Sequence, residues 1–183
     1  MRDFAVPGLL DLIASHAAFR RLVELTGASA PGEAIGPLRL LEAARAPVVA
    51  ALAAVLREPV LWITARPEDA RTVADSLAAY LAHPERLHLM PAPDALPYER
   101  IPWDPATREQ RMAALASLSR WDGAGTAGTA PVIAASVRAL MVCTLPPQVF
   151  AEHSVVLRTG ERHPVTELLR RLAAQGYEIV SAV

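Results

Sequence analysis

"PVLWITARPEDARTVADSLAAYLAHPERLHLM" (Pro59 to Met90) contains a strand, a helix and a second strand in succession, and its reading decides the fold. Residues 59–65 form a continuous apolar run of strand length, the pattern of a strand covered on both faces. Trp62 lies inside that run and is assigned to the core. Pro67 suits the first turn of a helix, where its missing N–H costs nothing, and Glu68 and Asp69 sit close to the positive end of the helix dipole. Ala70, Val73, Leu77, Tyr80 and Leu81 then recur at steps of three and four, which places them on one helical face. "RLHLM" (86–90) supplies the next strand.

Working toward the N-terminus, residues 8–26 carry an amphipathic pattern of one or two helices ending at Gly27, and Gly27 to Pro37 forms a linker. "PLRLL" (37–41) is a candidate strand, followed by a helix with Val48, Val49, Leu52, Val55 and Leu56 on one face. On the other side comes "APDALPYERIPWDPATREQRMAAL" (92–115), a connection too long and too rich in fixed backbone for an ordinary loop. Asp104 as N-cap and Pro105 at the first helical position start a helix whose expected inner face is Met112, Leu115 and Leu118. A glycine-rich loop (122–130) leads to the buried strand "PVIAAS" (131–136) and a short helix through Leu140. From His153 the pattern restarts as a strand "SVVLRTG" (154–160), a helix from Pro164 to Gln175 stopped by Gly176, and a strand "YEIVSAV" (177–183).

Such alternation predicts an α/β fold with a doubly wound, mainly parallel sheet. The expected domains are N-terminal helices and linker (1–36), the doubly wound domain (37–151), and the start of a second small α/β domain (152–183) that the chain does not finish.

The 183 residues are 52% hydrophobic, ample for a core. The net charge is −1, and the arginines divide evenly about residue 91, nine on each side. All basic residues are Arg, with no Lys and no Asn in the chain. No basic stripe advertises nucleic acid, so direct DNA binding is disfavoured. Cys143 is the single cysteine, which excludes an internal disulfide and suits a reducing cytoplasm. The N-terminal apolar stretch is broken by Asp3, Pro7, Asp11 and His16, and Ala46–Leu56 is too short to cross a bilayer, so no membrane partner is expected.

A doubly wound sheet invites a search for phosphate chemistry. A nucleotide-binding loop needs glycines after the first strand and a lysine for the terminal phosphates. Between Gly36 and Gly123 there is no glycine, so a working P-loop cannot be built. "GAGTAG" (123–128) matches a dinucleotide fingerprint letter for letter, but it follows a helix and precedes a strand, the reverse of the required order. No G-x-S-x-G elbow is present. "VIAAS" ends without the acids that would hold magnesium. The pairs His83/His88 and His153/His163 lack further ligands at metal spacing and are assigned to the surface or to caps. Cys143, on the short helix, is assigned as a small buried hydrophobe. Arg108 and Arg111, beside Glu109, suit a solvated helix face. Tyr98 and Trp103 either pack the proline-rich segment onto the sheet or bind a partner.

"LPYERIPWDPATREQRMAALASL" (96–118), "PVIAASVRALMVCTLPPQVF" (131–150) and "LRTGERHPVTELLRRLAAQGYEIV" (157–180), in that order, resemble the N-terminal region of the bacterial transcription-repair coupling factor family, Mfd. "GLLDLIASHAAFRRLVELTG" (8–27) is similar to the entry helices of that family. The resemblance implies a UvrB-like first domain of degenerate P-loop/helicase type and the start of a UvrA-binding domain. It further implies a non-catalytic module that helps recruit UvrA in nucleotide excision repair and restrains the parent translocase. No cofactor is then expected for this chain, since ATP and magnesium belong to the parent's motor domains. DNA and RNA polymerase would be met only through the parent. Arg158 and Arg162 fall within the piece of the UvrA-binding domain and, with Tyr98 and Trp103, are the candidate partner contacts. The alternative is a stand-alone Rossmann-like enzyme with a small-molecule site at the carboxyl ends of its strands.

Overall fold

A computed structural model describes residues 7–30, 32–95, 101–123, 125–126, 128–178 and 180. The chain divides into two compact units, Met1–Thr144 and Leu145–Val183.

The first unit opens with helices α1 (Pro7–Ser15) and α2 (Ala17–Ala28), separated at His16, whose Nδ1 accepts the Ala18 N–H and caps α2. Helix α3 (Glu42–Val55) precedes strand β1 (Val60–Thr64), helix α4 (Pro67–Ala78), a single 3-10 turn (Pro84–Arg86) and strand β2 (Leu87–Met90). Helix α5 (Pro105–Arg120), strand β3 (Val132–Ser136) and the one-turn helix α6 (Val137–Leu140) complete it. The three strands are parallel in the order β1-β3-β2, with Val60 to Thr64 opposite Val132 to Ser136, and Leu87 to Met90 opposite Val132 to Ala135.

This order follows from the connections. The link from β1 through α4 to β2 steps over the place that β3 later fills, and the link through α5 brings the chain back into the gap. Successive residues of β3 point to opposite faces. On one face Val132 packs with Leu77 and Leu81 and with Ala46, Ala50 and Ala53 of α3; on the other, Ile133 and Ala135 pack with Met90, Ala114 and Ala139. Helices therefore lie on both faces, as a doubly wound sheet requires, and every residue of β3 is buried. The α4 face legible in the sequence is the face that packs: Ala70, Leu77 and Leu81 are buried, and Val73 and Tyr80 lie against the same core beside Trp62.

Several expectations need correction. Residues 37–41 form no strand; Leu38, Leu40 and Leu41 are exposed, Pro37 has no N–H to give, and no described strand pairs there. Strand β1 is not covered on both faces: it lies at the edge of the described sheet, and Leu61 and Ile63 are half exposed on the face where α5 packs on β2 and α6 on β3. Helix α3 buries Ala46, Pro47, Ala50, Ala51 and Ala53, small side chains that let neighbouring elements approach; of the expected face, Val49 packs against the same core, whereas Val55 is exposed. Met112 is turned outward, and the inner line of α5 is Thr107, Arg111 and Ala114, flanked by Leu115 and Leu118. Cys143 is exposed, because α6 ends at Leu140 before reaching it.

The second unit holds α7 (Pro147–Glu152) and α8 (Val165–Ala174). The α8 range agrees with the sequence reading, but the expected strand at 154–160 is irregular backbone and a turn. Of the expected strand 177–183, residues 177, 178 and 180 are described, and they are not in a strand. The Arg171 guanidinium donates from Nη2 to the carbonyls of Glu152 and Ser154, each at 3.1 Å, and Gln175 Nε2 donates to that of His153 at 2.9 Å. These bonds tie α8 to the end of α7.

Candidate interaction surface

The proline-rich connection leaves β2 at Met90 and is packed from its first residues: Pro91, Pro93 and Ala95 are buried. Its two described ends are held together by a single carboxylate, as Asp94 Oδ2 accepts the Asp104 N–H at 2.9 Å. Asp104 in turn caps α5, accepting the N–H groups of Ala106 at 2.9 Å and Thr107 at 3.2 Å, and Pro105 occupies the first helical position as expected.

Arg111 organises the base of this segment. Its side chain is buried, 2% exposed, and Nη1 donates to the carbonyl of Pro91 at 2.8 Å and to that of Ala139 at 3.2 Å. The guanidinium carbon lies 5.4 Å from the centre of the Trp103 ring, within range of a cation–π contact. Burial lowers the pKa of this guanidinium below its ordinary value. One arginine thus joins the start of the proline-rich segment, its closing tryptophan and helix α6. The sequence reading placed Arg111 on a solvated face with Arg108, and the structure corrects this for Arg111 only; Arg108 is exposed. The signal that identifies it is spacing: Thr107, Arg111, Ala114 and Leu118 step by four, three and four along α5, so Arg111 shares the core-facing line.

Arg86 plays a comparable part at the opposite ends of the strands and was not singled out by the sequence. Nη1 donates to the Ala130 carbonyl and Nη2 to that of Ala53, both at 3.0 Å, so Arg86 joins the entry of β3 to the last turn of α3, where a cation also suits the helix dipole. Its Nε is buried without a partner among the described residues, and burial lowers its pKa. Nearby, the glycine-rich loop shows why it carries glycine: Gly128 has φ of +80°, donates its N–H to the Leu56 carbonyl, and a Cβ there would lie 2.9 Å from the Ala54 carbonyl oxygen. That glycine serves close packing of the loop on α3.

Trp103 is half-buried, and it forms a wall between two clefts at the carboxyl ends of β2 and β3. The inner cleft, of about 470 Å³, is lined by Pro93, Ala95, Arg138, Met141, Val142 and Cys143 besides the tryptophan. The outer, of about 400 Å³, has Arg108, Glu109 and Met112 on its walls together with Arg111 and Pro105. Tyr98 lies outside the described residues. Arg158 and Arg162 belong to the second unit, in the turn before α8; Arg158 is largely exposed and reaches Glu161 at 3.8 Å, while Glu161 also meets His163 at 3.2 Å. Arg162 is exposed. Among the described residues no three His, Cys, Asp or Glu side chains come together as a metal site, and no helix is long and apolar enough to cross a membrane. His83 is exposed and meets Glu85 at 3.1 Å, whereas His88 is half-buried on β2.

Neither a family model nor a solved structure matches the chain. Its sequence is 28% identical over 181 residues to the transcription-repair-coupling factor of Mycobacterium bovis, a match covering 99% of this chain and 14% of that protein. The coupling factor of Mycobacterium tuberculosis gives the same values. That of Myxococcus xanthus is 31% identical over 152 residues, or 80% of this chain and 12% of its own length. The chain therefore spans about one seventh of the length of the mycobacterial relatives. The motifs at 96–118, 131–150 and 157–180 and the match over nearly the whole chain agree: this chain is a homologue of one segment of the transcription-repair-coupling factors.

Proposed function

We propose that the chain acts as a non-catalytic recruitment module of a transcription-repair-coupling factor, helping to bring UvrA to damage in transcribed DNA during nucleotide excision repair in the cytoplasm, and restraining the parent translocase. The observation that carries this reading is the match to coupling factors along almost the entire chain. A second fact supports this reading: with no lysine in the chain and no glycine between Gly36 and Gly123, a P-loop cannot be built from these residues; in this reading ATP and magnesium belong to other parts of the parent. In this reading the first unit is a helicase-type sheet that has lost its nucleotide site, and Arg158 and Arg162 of the second unit contribute to the partner surface. RNA polymerase and DNA are then reached through the parent alone.

The test is equilibrium binding of UvrA from the same organism to this chain and to a longer version extending past Val183. Binding by the longer version, with weak or no binding by the shorter, supports recruitment through a surface completed beyond Val183. Failure of both overturns the reading. ATP with magnesium is expected to leave the melting temperature unchanged. A nucleotide-dependent rise would favour the alternative, a Rossmann-like enzyme with a ligand site at the strand ends.

A further inference from the structure

We infer that the paired clefts on either side of Trp103 form a docking site for an acidic protein segment carrying large apolar side chains. The inference does not depend on which protein the module recruits. Each cleft holds one methionine and one exposed arginine: Met141 with Arg138 in the inner, Met112 with Arg108 in the outer. Met141 is 78% exposed and Met112 50%, so two flexible apolar side chains stand in solvent beside a half-buried indole. Trp, Met and Arg are the side chains enriched at protein interfaces, and methionine adapts to the shape of whatever covers it. The tryptophan is also preorganised. Arg111 stacks near its ring while bonded to two main-chain carbonyls, so little ordering remains to be done on binding.

Charge selects the occupant. Among the described residues no carboxylate pairs with Arg108 or Arg138. The neighbouring acids Asp94 and Asp104 are committed to the main-chain bonds that shape the segment. Glu109 shares the outer cleft with Arg108, whereas among the described residues Arg138 is the one charged side chain lining the inner cleft. An apolar side chain in the inner cleft, followed by a carboxylate at Arg138, satisfies both features. A nucleic-acid strand fits less well, because a phosphate backbone needs a row of cations and the chain carries a net charge of −1 without a basic stripe.

The probe is a fluorescein-labelled peptide, Glu-Leu-Asp-Phe-Glu-Leu-Asp, titrated with the intact chain and followed by anisotropy, with a second peptide bearing Lys in place of every acid. The acidic peptide is expected to bind and the basic one not. Arg138→Gln and Met141→Ser, both at exposed positions, are each expected to weaken binding at least about fivefold, while Arg71→Gln on α4 leaves it unchanged. Cys143 gives a readout on the unmodified protein: it is the single cysteine, it is exposed, and it lines the inner cleft. Saturating peptide is expected to slow its alkylation by N-ethylmaleimide at least about fivefold. No binding, equal binding of the basic peptide, unprotected Cys143, or tighter binding of oligothymidylate than of the acidic peptide would each overturn the inference.

Discussion

Burying the Arg111 guanidinium is tolerable because each of its contacts replaces water with a main-chain oxygen or an aromatic face, and it is costly to undo for the same reason. Arg111→Met is expected to lower stability by about 2–4 kcal/mol, because it removes two charge-assisted bonds and leaves the Pro91 and Ala139 carbonyls without a donor. Arg111→Lys should recover part of this, since an ammonium can reach a carbonyl but cannot span two with a planar fork; equal losses for both variants in urea denaturation would deny the clamp. His88 offers a test of a different kind. Its imidazole ionises at lower pH than usual, chiefly because burial penalises the cation and secondarily because Arg120 repels it. The unfolded chain therefore takes up that proton more readily than the folded one. The contribution is fully present above the unfolded pKa of about 6.5 and is lost as the pH falls through it toward the lower folded value. Replacing the imidazole, as in His88→Gln, should flatten the decline of the urea midpoint over that interval, and an unaltered slope would show that other groups govern it. What was legible at this scale was local. Asp104 and Pro105 announce a helix start because a cap is made within three residues, whereas the partners of Arg111 lie 20 and 28 residues away and no short window contains them.

Elements were legible where their own periodicity and their surroundings agreed. Strand β3 reads as a buried apolar run and is one, since it is central and covered on both faces. Strand β1 has the same apolar character but sits at the edge of the described sheet with one face open, and hydrophobicity alone does not distinguish the two situations. "PLRLL" (37–41) carries strand-like residues without a strand to pair with, so its composition decides nothing. Helix α3 was legible only in part: Val49 of its expected face does pack against the core and Val55 does not, while the fully buried positions are alanines and Pro47, whose small side chains carry no strong hydrophobic signal in the sequence. The glycine-rich loop between α5 and β3 carries a prediction at this scale. If Gly128 is there for packing against the end of α3, Gly128→Ala must both strain the backbone and drive a methyl into the Ala54 carbonyl, at an expected cost of about 2 kcal/mol or more. Gly123, with φ of +76° but only the edge of the Trp121 ring about 4 Å away, should cost about half as much when replaced by Ala. Thermal melts of the two variants check the order; a reversed order would mean that the loop does not pack on α3 as described.

At the scale of the whole molecule the two units differ in what could hold them folded. The first has two apolar clusters built on either face of β3, and Val132 to Ala135 are at most 1% exposed. The second has no buried residue among those described: Leu168 and Leu172 of α8 are half-covered, and Val165 and Leu169 on the same side of the helix are exposed. Its ties are the Arg171 and Gln175 bonds to main-chain carbonyls at the end of α7, all solvent-exposed and therefore each worth about 1 kcal/mol. This also explains why its strands failed to appear where the sequence suggested them. An extended apolar segment becomes a strand only when another edge accepts its hydrogen bonds, and no described strand meets 154–160. Opening α8 then requires little loss of burial, whereas exposing the β3 amides requires dismantling both clusters. Native-state hydrogen exchange should therefore find the α8 amides exchanging through a local opening, orders of magnitude faster than those of β3 and insensitive to low denaturant, because little surface is exposed in that opening. Exchange of α8 and β3 with the same free energy and the same denaturant dependence would instead mean that the two units unfold as one. Slowing of α8 exchange by added UvrA, with β3 unchanged, would place the recruited partner on the second unit and connect its weak fold to the proposed function.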